Sequence, residues 1–199
     1  MSLMSPMDSH EPPSYILDVH NVLTASMFDQ LCRDNRMARL ELTSTGKMII
    51  NPFGLNDGRR SGEITDQLGN WAEGDDSGVC FGSSGPFTLP NGARRSVSAA
   101  WARRDRWETF AHEEREGFAP LCPDFVIEVR SSLGDAPPLE EKMLEFIQNG
   151  TSLAWMIDPQ RKRVYIYRPS QPTEVLEDPQ TVAGDPVLAG FVLYLRKIW

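Results

Sequence analysis

The chain has 199 residues, about one domain's length, and can bury a full core without disulfide or metal staples. Hydrophobic residues make up 40% and charged residues 24%, both ordinary values for a globular protein. With 20 basic against 28 acidic residues the net charge is -8, a poor match for tight nonspecific binding to nucleic acid, though a local basic patch is compatible with it.

In chain order, residues 1–14 are polar, carry proline and lack any period, and are expected to form a flexible tail. A single domain is expected over 15–199. Leu23 to Cys32 can form a short helix, with Met27 and Leu31 on one face. Arg39–Thr43 and Lys47–Asn51 flank Ser44-Thr45-Gly46 and read as a hairpin. Asp57 is a candidate N-cap for a helix to about Ala72, since Ile64, Leu68, Trp71 and Ala72 form an apolar stripe. Val79–Phe81, Pro86–Leu89 and Arg94–Ala102 read as strands, and Arg103–Gly117 as two short exposed helices. Phe125–Val129 is an apolar strand interrupted by one carboxylate. Pro138–Asn149 is a helix stopped by Gly150, and Leu153–Ile157 is a second apolar strand. This βαβ unit predicts two parallel strands with a right-handed crossover. Arg163–Arg168 should pair antiparallel to the second strand, and the last residues should add a strand and a turn of helix. The expected fold class is α/β, a mixed β-sheet flanked by helices.

Cys32, Cys80 and Cys122 are far apart and form no CxxC pair, which disfavours a disulfide framework or structural zinc and makes a cytoplasmic setting the simplest expectation. No apolar run is long enough to span a bilayer, and no basic-then-apolar start marks a secretory signal. Phosphate-binding glycine loops, a GxSxG elbow and HExxH are all missing, so carboxylate chemistry is the remaining candidate. In the strand around Glu128, side chains alternate. Asp124, Val126, Glu128 and Arg130 share one face, while Phe125, Ile127 and Val129 share the other. A carboxylate in such a strand is costly unless paired or bound to a cation. Glu128 and Arg130 read either as a structural ion pair or as part of a site, and Lys142 flanks the apolar stripe of the next helix.

The blocks PDFVIEVRS and LEEKMLEFIQNGTSLAWMIDPQRKRVYIYRP resemble the Uma-type family of restriction-endonuclease-like proteins, within the PD-(D/E)XK nuclease superfamily. RLELTSTG, GRRSGEITDQLGNWA, GPFTLPNGARRS, RDRW, GFAPLCPDF and LAGFVLYLRKIW extend the likeness from about residue 28 to the C-terminus. The resemblance implies a restriction-endonuclease-like core preceded by an N-terminal hairpin, and Mg²⁺- or Mn²⁺-dependent hydrolysis of DNA. By the same resemblance Glu63 and Glu128 would be metal ligands, and Lys142 would position water or steady charge. Two departures stand out. The family's PD pair reads Val97-Ser98, so Ser98 holds the position of the missing aspartate, and Arg130 stands where a lysine can occur. Asp105 or Asp124 could substitute, with Asp124 next to the site. Arg59, Arg60, Arg94, Arg95 and Arg130, together with Arg103, Arg104 and Arg106, are candidate phosphate contacts. Cutting a duplex needs two sites, which suggests a homodimer. The alternative is a catalytically inactive member with a binding or regulatory role.

Overall fold

Five consecutive residues, Phe125–Val129, are all buried, and so are the six of Leu153–Asp158. A strand buried on both faces needs cover on both, and two helices supply it. The computed structural model describes residues 15–35, 38–51, 54–83, 86–131 and 136–199, so the expected tail over 1–14 lies outside the described residues. The elements in chain order are β1 (Tyr15–Asp18), α1 (Ala25–Asp34), β2 (Arg39–Leu42), β3 (Lys47–Asn51), α2 (Leu55–Asp75), β4 (Gly78–Phe81), β5 (Pro86–Thr88), β6 (Arg94–Ser96), β7 (Ala99–Arg103), α3 (Arg104–Trp107), α4 (His112–Arg115), β8 (Phe125–Val129), α5 (Ala136–Gln148), β9 (Leu153–Asp158), β10 (Arg163–Tyr167), β11 (Glu174–Glu177), β12 (Thr181–Ala183) and β13 (Val192–Tyr194).

Two larger sheets and a hairpin result. The six-stranded sheet runs β11-β10-β9-β8-β7-β4, and the five-stranded sheet runs β1-β3-β2-β6-β5. β8 and β9 pair in parallel around α5, as the βαβ pattern predicts, while β10 lies antiparallel to β9. Alternation along β8 also holds. Phe125, Ile127 and Val129 join one apolar cluster with Ile64 and Leu68 of α2. Val126 joins the other with Met143 and Phe146 of α5. In the first cluster the rings of Phe125 and Trp155 meet edge to face, 4.8 Å between centroids.

Two local expectations change, at the start of α2 and in the stretch Arg94–Ala102, while the expected hairpin between β2 and β3 forms. Gly54, not Asp57, is the N-cap of α2; Asp57 is the third helical residue and its carboxylate accepts the Gly54 N–H at 3.3 Å. The hairpin turn holds Gly46 at φ +80°, a left-handed conformation that glycine enters without steric cost. The stretch Arg94–Ala102 is not one strand. β6 belongs to the five-stranded sheet and β7 to the six-stranded sheet, so the chain passes from one sheet to the other through Val97 and Ser98.

Candidate active site

Burying a carboxylate costs several kcal/mol unless cations and donors replace its water. Glu128, 3% exposed, receives three such groups: Nη2 of Arg39 at 3.0 Å, Nζ of Lys142 at 3.0 Å and Oγ of Ser98 at 3.2 Å. Lys142 sits one position before the buried Met143 on α5, and its stem carries the ammonium toward the sheet. There it also donates to Oε1 of Glu41 on β2 at 2.7 Å. Glu41, 1% exposed, further accepts from Nη1 of Arg95 at 3.2 Å and Oγ of Ser96 at 3.3 Å. Arg95 turns its other nitrogen to Glu145 of α5 at 2.6 Å, and Nε of Arg39 donates to Ser96 at 3.0 Å. Three cations (Arg39, Arg95, Lys142) thus meet three carboxylates (Glu41, Glu128, Glu145) in one network.

The electrostatics follow from that balance. Burial by itself would raise the Glu41 pKa; Lys142, Arg95 and Arg39 outweigh it and hold the carboxyl at about 2, against an ordinary 4.5. Burial would lower the Arg39 pKa, but Glu128 and Glu41 outweigh it and raise it, so the guanidinium stays charged.

Ser98 lies at the joint between the sheets. β7 runs antiparallel to β8 with Ala99 opposite Ile127, which puts Ser98 across from Glu128. Its hydroxyl accepts the Val129 N–H at 3.0 Å and donates to Oε1 of Glu128 at 3.2 Å.

Of the residues singled out from sequence, Ser98, Glu128 and Lys142 come together. Glu63 does not join them. It lies on α2, accepts from Gln67 at 3.0 Å and pairs with Lys197 at 3.3 Å, beside the C-terminal turn. The helix explains this: Ile64 and Leu68 face the sheet, and Glu63 falls to the side of that stripe. Asp124 is four residues before Glu128, roughly 13 Å along a strand. It holds the Arg103 N–H at 2.9 Å and the Arg106 guanidinium at 2.7 Å. Asp105 is tied to Arg103 at the surface. Neither aspartate therefore replaces the missing one. Arg130 pairs with Asp158 at 2.7 Å, while Glu128, which sequence left open as an ion-pair partner of Arg130 or a site residue, pairs with Arg39 and Lys142.

The candidate phosphate contacts have internal partners too. Arg59 and Arg60 donate to the carbonyls of Lys197 and Ile198 at 2.6 and 2.9 Å. Arg94 pairs with Asp29 and lies over the Phe118 ring at 4.8 Å, while Arg95 is inside the network just described. Arg104 holds Asp76 at 2.6 Å. Glu41 and Arg39 were not singled out from sequence. One signal was available: in RLEL the two charged residues are two apart, on one face of a strand, as Glu128 and Arg130 are.

A divalent ion of the Mg²⁺ type needs about six oxygens and keeps several of its waters. The described residues do not fit it. No three His, Cys, Asp or Glu side chains gather to hold a metal, and the Lys142 ammonium lies between the two carboxylates that could. Their charge is already balanced within the network.

The mixed sheet flanked by helices, with Glu128 of β8 facing Lys142 of α5, is the architecture that the family resemblance implies. The Uma2 family model, described as putative restriction endonuclease, matches residues 25–196, and the chain belongs to that family. The fold matches the crystal structure of a putative nuclease of the DUF820 group from Anabaena variabilis, with a TM-score of 0.69 and 18% identity over 80% of this chain and 88% of that one. No curated protein matches significantly.

Proposed function

We propose that this chain keeps the nuclease scaffold as a catalytically silent member of its family, with a binding or regulatory role and DNA as the ligand class. The observation that carries this is the closed network around Glu128. Ser98 donates a neutral hydroxyl where a third carboxylate would be needed, and Arg39, Arg95 and Lys142 neutralise the carboxylates present. Neither Glu41 nor Glu128 is free to act as a base. Loss of one carboxylate ligand removes several kcal/mol of transition-state stabilisation, roughly 10³-fold or more in rate. With the candidate arginines engaged internally and a net charge of -8, DNA contact is expected to be weak and local.

A second reading, slow Mg²⁺-dependent endonucleolytic hydrolysis of DNA, is favoured by one observation: Glu128 and Lys142 meet at 3.0 Å from the strand and helix that the family resemblance assigns them. Homodimerisation, which duplex cutting calls for, belongs to this second reading; sedimentation equilibrium tests it directly.

Nicking of supercoiled plasmid with Mg²⁺ or Mn²⁺ separates the two. The silent reading expects no nicking by the native chain or by Glu128→Ala, and Mn²⁺ heat in calorimetry only for Ser98→Asp. Nicking by the native chain that vanishes in Glu128→Ala would replace it with the second reading.

A further inference from the structure

We propose that a cavity of about 550 Å³ between α2 and the C-terminal hairpin binds a nucleoside phosphate, either free or as the end of a nucleic-acid strand. Tyr194, Arg196, Lys197, Gln180, Gln67 and Glu63 line it. The size suits a small-molecule site. It lies on the α2 side of the six-stranded sheet, whereas the Glu41–Glu128 network lies on the α5 side, so the inference does not depend on cleavage or its absence.

Three observations point to this ligand. Tyr194 is 63% exposed, although an aromatic ring of that size gains most by being covered. Its position is fixed: Gln67 accepts the Tyr194 N–H at 2.8 Å and donates to its carbonyl at 3.0 Å, so one side chain grips both sides of the backbone. An exposed ring held by its backbone is a stacking platform for a planar base. Arg196 follows two residues later on the same exposed side. It is the one arginine among the described residues with no hydrogen bond or ion pair to another residue. Lys197 is 68% exposed and meets Glu63 at 3.3 Å. Arg196 and Lys197 against Glu63 leave the cavity mouth net positive, and a guanidinium fork recognises phosphate by paired hydrogen bonds. The side chains of Gln180 and of Thr181, which stands opposite Tyr194 in the hairpin, add donors and acceptors for a base edge or a sugar.

Calorimetric titration of the full chain with adenosine 5′-monophosphate, adenosine and inorganic phosphate tests this. The monophosphate should bind saturably and more tightly than either part. Arg196→Gln should weaken the monophosphate at least tenfold and leave adenosine unchanged, whereas Tyr194→Ser should weaken both. Both side chains are exposed, and unchanged thermal melting of the variants verifies that the fold is intact. Competition by a 5′-phosphorylated single-stranded oligonucleotide, but not by its unphosphorylated form, assigns a strand end. Lack of competition assigns the free nucleotide. No saturable binding, affinity unchanged in both variants, or inorganic phosphate binding as tightly as the monophosphate would overturn the proposal.

Discussion

A serine hydroxyl can accept one hydrogen bond and donate another, and Ser98 does both, toward the Val129 N–H and Glu128. An ionised aspartate could keep the first bond but not the second, and would face Glu128 as a like charge. Lys142 has the matching role on the cationic side, since Glu41 and Glu128 both lean on its ammonium. Removing one partner of a buried ion network typically costs about 3–5 kcal/mol. Lys142→Met should therefore lower unfolding stability by that order in urea titration. In the double variant Glu41→Gln/Lys142→Met the loss should be smaller than the sum of the single losses, because the two residues share one interaction. A loss below about 1 kcal/mol for Lys142→Met, typical of a surface site, would show that the network adds little.

Elements are joined by these same residues. Arg39 and Glu41 come from β2 and Arg95 from β6 in the five-stranded sheet; Glu128 comes from β8 in the six-stranded sheet, and Lys142 and Glu145 from α5. The network ties both sheets to one helix. Its acid sensitivity follows from Glu41. The folded-state pKa is depressed to about 2 from an ordinary 4.5, so its stabilising contribution is complete above about pH 5 and is lost as pH falls toward 2. Thermal melting between pH 6 and pH 3 should show a stability loss that Glu41→Gln makes shallower; parallel acid limbs in the two proteins would refute the assignment. Much at this scale was legible in sequence. The alternation in FVIEV assigned both faces of β8, and the apolar stripe ending at the Gly150 stop identified α5. The break in Arg94–Ala102 was not legible, because Val97 and Ser98 carry no turn signal. They are buried at a sheet-to-sheet passage that only tertiary packing creates. Glu41 was hidden for a related reason: its partners lie 54 and 101 positions away.

For the whole molecule, the balance of three cations against three carboxylates removes the electrostatic reason for a dication to enter. Mg²⁺ should leave the melting temperature of the native chain unchanged, since a ligand stabilises only what it binds. A dose-dependent rise in differential scanning fluorimetry would contradict the closed network. Family membership was readable from an ordered series of blocks, whereas the placement of Glu63 away from the network was not, because the helix register relative to the sheet is a property of the packed molecule.

The neutrality of this interior also makes it intolerant of added charge. An acidic side chain placed at position 98 would insert an unmatched negative charge into a settled lattice of ion pairs. Such a charge would weaken the joint between the two sheets, where the Ser98 hydroxyl now bridges Glu128 and the Val129 N–H. The arginines and the lysine that neutralise these carboxylates are also what ties the two sheets to one another.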